Sequence, residues 1–417
     1  MLQYGAPGRT RTVTLAHWLL RPACLPIPPP GQCCLIVNER LLHYFNIIAN
    51  RLFFVNCHVI NIAMAKVFTI KQQKLFAVKN FVDLYCPDPF ETVSIDKDGN
   101  VGLCGCESWQ PQKIGNIFQQ PLVEIYNNEL SQQIRQSIRD GSYVYCNEQT
   151  CGSIINQTLI PLDQLEPKLQ SQFSTGTFFE MPYTFYIAGD ETCNLSCPSC
   201  RTQVIDKNEF NLARNVKILN ILNEQIFNGS CDRTITIKLS TSGEVFASAL
   251  LMEFCSNFNT KNYPKAEFWF QSNGLLVQSR WHKIQHLVHN IEDFTITADS
   301  CIKPIYEKLR RGGKFEKLLD NLSFLKQKKS EHQFQLTLRM VVQYDNHNEL
   351  EQFYQFAKTY DADFVEYVKI SNWGTYSPAQ FDSIDVLNSK HQLYNTVTNT
   401  LKKLHQRPDV KIYGANF

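Results

Sequence analysis

Three cysteines stand close together in the segment Glu191-Thr-Cys-Asn-Leu-Ser-Cys-Pro-Ser-Cys-Arg201, where Cys193, Cys197 and Cys200 have the spacing C-x3-C-x2-C. Three thiolates fit a [4Fe–4S] cube and leave one iron open to bind a substrate or cofactor, whereas a fourth thiolate would favour electron transfer alone. A zinc site would prefer a fourth Cys or His nearby, and none occurs between Arg201 and Cys231. A second group lies upstream: Cys86, Cys104, Cys146 and Cys151, with Cys106 competing for the second place, could close four thiolates around one centre. Such sets suit tetrahedral zinc and iron–sulfur alike, and spacing divides evenly between them.

The elements that must position these cysteines follow from the apolar pattern. Alternation over Thr92 to Ile95, an Asp98-Gly99 turn and Val101 to Leu103 describe a hairpin that presents cysteines at its ends. Apolar residues at Leu122, Ile125, Leu130, Ile134 and Ile138 describe one helical face before Cys146. Beyond Tyr183, strands over 183–188, 234–240, 267–272, 293–299, 335–343 and 364–371 alternate with helices near 213–226, 247–258, 279–289, 315–328, 348–360 and 382–405. Six such pairs imply a parallel α/β sheet with right-handed crossovers, curled into a partial (β/α)6 barrel and preceded by a small α+β cysteine-rich domain. In barrels the chemistry sits at the carboxyl ends of the strands. The cysteine loop, Thr241-Ser-Gly-Glu, Ser272-Asn-Gly and Ala298-Asp-Ser all fall there.

On these residues the chain resembles radical S-adenosylmethionine enzymes over about Tyr183 to Lys403. The resemblance implies that the open iron chelates the amino and carboxylate groups of the methionine moiety. Thr241-Ser-Gly-Glu-Val245 occupies the place of the family's Gly-Gly-Glu-Pro segment, so Glu244 and the backbone of Ser242 and Gly243 would hold the ammonium. The glycine permits close backbone approach. Ser and Val replace the first Gly and the Pro, which keeps the carboxylate but changes the loop's rigidity. Thr297 stands where the family has a Ser in its Ser-x-Asp strand end, with Asp299 after it, and Arg310 matches an arginine that pairs the methionine carboxylate. The ordinary readings are a strand-packing Thr297 and a solvated Arg310 at a helix end. Asp299 and Cys301 are expected at the catalytic rim, where the Cys301 thiol could donate a hydrogen atom to a substrate radical.

The region from Cys86 to Cys151 is similar to the auxiliary-cluster region called SPASM or twitch, on C-P-x-P-F, the D-x-D-G turn, I-G-N-I and the C-x4-C end. That likeness favours a second [4Fe–4S] cluster, although the region usually follows the barrel and here precedes it. The resemblance implies one-electron cleavage of S-adenosylmethionine, hydrogen abstraction by the 5′-deoxyadenosyl radical, and a low-potential donor such as ferredoxin or flavodoxin. SPASM-type relatives often modify peptides or proteins, and sugar and small-molecule chemistries use the same scaffold. The alternative is a non-catalytic iron–sulfur or zinc protein, for binding or electron transfer, that retains the barrel. A methylating enzyme is a third reading, but no added methylation module is apparent.

Composition bounds the partners. Lys and Arg number 41 against 39 Asp and Glu, a net charge of +2, so no basic field argues for nucleic acid. Fifteen cysteines, an odd count at uneven spacing, do not suit a secreted disulfide scaffold, and a reducing, cytoplasmic setting is expected. The apolar run Leu15 to Leu20 is short for a signal peptide, and Leu41 to Met64 contains Arg51, His43 and His58, so neither export nor a membrane span is expected. Residues 1–63 lack periodicity and read as a poorly ordered extension, either a natural one or a stretch ahead of a biological start at Met64. The expected domains are then 1–63, 64–175 and 176–417. Cys231 and Cys255 read as small buried hydrophobes, His282, His286 and His289 as a solvated helix face, and Trp373 as either lining the substrate mouth or packing.

Overall fold

A computed structural model describes residues 81–415, apart from 156, 166–169, 171–172, 174–180, 189, 206–208 and 240–241. The described residues lie within one compact unit. The expectations for residues 1–63, including the start at Met64, fall outside them.

The amino-terminal part contributes β1 (Leu84–Tyr85), β2 (Thr92–Ile95), β3 (Asn100–Gly102), β4 (Gly115–Asn116) and β5 (Ile160–Pro161). The expected hairpin forms: β2 and β3 pair antiparallel. Its turn is closed by the Asp96 carboxylate, which accepts from the backbone N–H of Asp98 and Asn100, each at 2.9 Å. Gly99 takes φ +77°, the left-handed region that a side chain would strain. The expected single helix over 122–138 is two, Leu122–Asn127 and Glu129–Arg139, because the Asn128 side chain leaves the helix and caps Ser131 N–H at 2.9 Å. Arg135, wholly buried, donates to Pro89 O at 2.8 Å and lies over the Tyr126 ring, while the Tyr126 hydroxyl bonds Phe90 O. These contacts fix the chain that leaves Cys86. Tyr85, Phe90, Ile138, Tyr143 and Phe173 form a separate small core, with Cys86 and Cys146 against it.

The remaining strands are β6 (Thr184–Ile187), β7 (Ile235–Leu239), β8 (Ala266–Ser272), β9 (Ile291–Thr297), β10 (Gln335–Val342), β11 (Phe364–Lys369) and β12 (Val410–Tyr413). Each of the six expected strands forms, and all pair in parallel in chain order. β12, absent from the sequence reading, adds a parallel partner to β11. On the other side β2 pairs parallel to β6, Thr92 opposite Thr184 and Ile95 opposite Ile187. One ten-stranded sheet therefore runs β12-β11-β10-β9-β8-β7-β6-β2-β3-β4. The division drawn at 175/176 cuts the chain but not the sheet.

Alternate strand residues pack under the helices, with Ile235, Ile237, Leu239, Phe268, Phe270, Phe294 and Ile296 all buried. Phe246, Phe270 and Phe294 stack between strand and helix layers. Two expected helices differ. The 279–289 segment is a short helix, Val277–Arg280, followed by 3-10 turns, and its three histidines are exposed. The 382–405 segment splits into Pro378–Ile384 and Tyr394–His405, because Val386 and Leu387 turn inward between them and Asp385 closes the turn onto Leu387 N–H. No described helix is long and apolar enough to cross a membrane.

Candidate functional site

The loop that leaves β6 carries Cys193, Cys197 and Cys200, as the strand-end argument requires. It is anchored before the first cysteine: Asp190, buried, accepts from Thr192 N–H at 3.0 Å and from the Asn215 side chain at 2.8 Å. Between the first two cysteines, Ser196 N–H donates to Arg311 O at 3.0 Å, and the Arg311 guanidinium returns to Ser196 Oγ. Cys197 is buried and Cys200 exposed, with Cys193 between these extremes. Burial pushes the Cys193 thiol up to about 11, and Glu244 adds to the rise while Arg201 opposes it. Burial also raises Cys197, against the pull of Arg310.

Two arginines face the thiols. Arg201 lies 3.4 Å from Cys200 Sγ through Nε, and it also donates to Glu191 O at 2.7 Å and Ser242 O at 2.8 Å. It thereby joins the cysteine loop to the loop after β7, a role the sequence reading missed although the residue directly follows the triad. Arg310 lies 3.7 Å from Cys197 Sγ and pairs with Asp299 at 2.8 Å. Burial opposes the guanidinium charge, but Asp299 and Cys197 outweigh it and raise its pKa. The solvated helix-end reading of Arg310 is therefore displaced: the side chain is mostly buried, 13% exposed, and committed to Asp299 and the cysteine loop.

The loop after β7 meets the cysteine loop backbone to backbone. Glu244 N–H donates to Thr192 O at 2.8 Å, and a Cβ on Gly243 would stand 2.6 Å from Thr192 O. Glu244 is buried, and its carboxylate accepts from Ser272 Oγ at 2.7 Å, Asn273 N at 2.7 Å and Phe246 N at 3.2 Å. Burial raises its pKa, opposed by these three donors. Asn273 in turn donates to the Asn194 side chain at 2.9 Å. Glu244 thus stitches three strand-end loops, which spacing alone did not reveal. Ser242 is exposed, and its carbonyl is the one that Arg201 takes.

Thr297 closes β9 and is mostly buried. Asp299 takes φ +65°, accepts from Val341 N–H at 2.8 Å through one oxygen and pairs Arg310 through the other. Both oxygens are engaged, one by Val341 N–H and one by the Arg310 guanidinium, so Asp299 holds Arg310 in place. Cys301 donates to Glu349 Oε2 at 3.3 Å, where Ser300 Oγ and Cys301 N also converge at 2.7 and 3.0 Å. Burial and that carboxylate push the thiol up to about 12, so it stays protonated at neutral pH. Trp373, on the loop after β11, is 64% exposed, which removes the packing reading. Cys255 is fully buried, as a small hydrophobe would be.

The second cysteine set gathers beside the small core. Cys104 Sγ donates to Asp88 Oδ2 at 3.4 Å, and the thiol lies within the electrostatic reach of Cys86 and Cys146. Cys106 turns to Ser108 Oγ at 3.1 Å. Burial pushes Cys146 up to about 12, with Cys151 adding to the rise. Among the described residues no three Cys, His, Asp or Glu side chains converge as they would around a single metal ion. A four-iron cube takes one thiolate per iron, so its ligands stand farther apart than those of a tetrahedral zinc. Thiols are the ligands iron–sulfur clusters use, and the donor sets supply them: three on the loop after β6, faced by Arg201 and Arg310, and the others beside the small core.

Residues 86–152 match the SPASM family, an iron–sulfur cluster-binding domain. The match spans Cys86, Cys104, Cys106, Cys146 and Cys151 and precedes β6 in the chain. No curated protein matches the sequence. Among solved structures, Streptococcus suis SuiB bound to S-adenosylmethionine is 12% identical at a TM-score of 0.39, covering 59% of this chain and 53% of its own. Native anSMEcpe with bound AdoMet is 19% identical at 0.35, covering 54% and 61%, and methylornithine synthase (PylB) is 13% identical at 0.35, covering 63% and 75%. The chain thus spans about half to two thirds of the first two.

Proposed function

We propose that the chain is a radical S-adenosylmethionine enzyme with one auxiliary iron–sulfur cluster. The observation that carries this reading is the meeting, at the carboxyl ends of adjacent parallel strands, of the C-x3-C-x2-C loop with Glu244 and Arg310. Cys193, Cys197 and Cys200 would hold a [4Fe–4S] cluster, and Cys86, Cys104, Cys146 and Cys151 a second one, with the SPASM match supporting the latter. Cys104 is preferred over Cys106 because it is buried and faces Cys86 and Cys146. The site cluster and S-adenosylmethionine together supply reductive C–S cleavage and a 5′-deoxyadenosyl radical that abstracts hydrogen from substrate.

The chain's own groups bind and orient. Arg310, held by Asp299, offers a mostly buried, fixed cation for the methionine carboxylate. Glu244 keeps one lone pair beyond its three internal bonds, and with the backbone at Ser242 and Gly243 it would hold the methionine ammonium. Thr297 would face the same cofactor from the end of β9. Arg201 and Glu244 hold the cysteine loop and the loop after β7 together. Cys301, kept protonated beside Glu349, is a hydrogen-atom donor to a substrate radical.

The proposed substrate is a peptide or protein; the exposed Trp373 would border it, as would Tyr376, which lies within electrostatic reach of Arg311 and Cys197. The electron donor would be a ferredoxin or flavodoxin. The test is anaerobic reconstitution with iron and sulfide, followed by reduction in the presence of S-adenosylmethionine. Two clusters, about eight irons, and formation of 5′-deoxyadenosine and methionine are expected. Bound iron with no cleavage would instead favour the non-catalytic iron–sulfur reading.

A further inference from the structure

Lys238 is a charged residue in the fourth position of β7, inside the parallel sheet. Its Nζ donates to Tyr186 Oη at 3.2 Å and lies 5.1 Å from the Tyr186 ring centroid and 4.7 Å from that of Trp269. Register places the three side by side, Tyr186 opposite Lys238 and Lys238 opposite Trp269. Burial lowers the lysine's pKa, with Asp88 and Asp293 opposing that shift from farther away. Met would fill the same partly buried space between the two rings with less desolvation, so the ammonium adds a charge that packing does not need.

Tyr186 also touches the auxiliary cysteines. A Cβ on Gly105 would stand 2.3 Å from Tyr186 Cζ and 2.7 Å from Oη, so the backbone between Cys104 and Cys106 lies directly against the phenol. One hydroxyl therefore meets the lysine ammonium on one side and the cysteine loop on the other. We propose that Lys238, acting through and beside Tyr186, is the counter-charge that sets the reduction potential of the auxiliary cluster. This rests on the auxiliary-cluster reading above. A cluster held by four thiolates is anionic, and reduction adds a further negative charge. A cation close by in a low-dielectric interior favours the reduced state and raises the potential. Lys238 is a positioning and tuning residue and makes no bond to a reacting atom.

The experiment uses the full chain carrying Cys193→Ala, Cys197→Ala and Cys200→Ala, so that iron reports on the auxiliary site alone. Redox titration followed by electron paramagnetic resonance is run on this parent and with Lys238→Met, Lys238→Gln, Lys238→Arg and Tyr186→Phe added. Lys238→Met and Lys238→Gln should move the midpoint to more negative values at unchanged iron content. Lys238→Arg should return it toward the parent, and Tyr186→Phe should lower it by less. Most of the shift should persist at high salt, because a partly buried charge is screened less than an exposed one. Equal midpoints in the parent, Lys238→Met and Lys238→Gln at equal iron content would overturn this proposal alone. A parent without iron would overturn the auxiliary site itself and the proposal with it.

Discussion

Gly243→Ala tests whether the cofactor loop and the cysteine loop meet as described. A Cβ at Gly243 would stand 2.6 Å from Thr192 O, 2.7 Å from Asp190 O and 3.1 Å from the Glu191 carbonyl carbon. All three are backbone atoms, so no side chain can swing aside. Restoring ordinary contact means parting the two loops by about 0.7 Å, an overpacking change that costs about 1 to 3 kcal/mol. Parting them stretches the Glu244 N to Thr192 O bond and the Arg201 bond to Ser242 O. The melting temperature should fall by roughly 2 to 6 °C, and S-adenosylmethionine affinity by at least about tenfold if one charge-assisted bond is lost. Gly229→Ala is the control, since a Cβ there meets only Tyr263 Oη at 3.9 Å. Calorimetry and equilibrium binding on reconstituted protein read both effects. A Gly243→Ala protein that melts and binds like Gly229→Ala would refute the loop contact.

Replacing Cys193, Cys197 and Cys200 together with Ala should remove about half the bound iron and all S-adenosylmethionine cleavage, read by iron assay and chromatography of 5′-deoxyadenosine; retained cleavage would end the assignment of the triad. Glu244→Ala strands the buried donors of Ser272 and Asn273, so it should cost about 2 to 4 kcal/mol of stability and weaken S-adenosylmethionine binding roughly tenfold to a hundredfold, with iron content kept. Unchanged affinity by titration would move the cofactor contact elsewhere. Asp293 lies buried between Thr295 and Thr337, whose hydroxyls reach it at 2.6 and 2.8 Å. Burial raises its pKa, those hydrogen bonds opposing. A raised carboxyl contributes stability that is full below its unfolded pKa and lost as pH rises through its folded pKa. Asp293→Asn should therefore gain stability relative to wild type as pH increases from about 4 toward neutrality, and parallel melting curves across that range would contradict it.

The sequence by itself marked the cysteine spacings, the order of the six strands from Tyr183, and the placing of the motifs at strand ends. Those are local properties: thiolate spacing is a count along the chain, and burial of one face imposes a period on each element. It also marked the Asp98-Gly99 turn, because a positive φ leaves few residue choices. Sequence could not place β2 beside β6, nor find β12, because strand pairing is a contact between distant segments and a short strand carries little pattern of its own. Nor could it separate Cys104 from Cys106, which differ by two positions in sequence but face Asp88 and Ser108 in space. Glu244, Asp299 and Lys238 show the same division: residue type announced a charge, but only the tertiary structure decided which groups surround it. A buried charge takes its role from its partners, and those are brought in by five different strands or their loops, since the fold and not the chain sets what stands next to what.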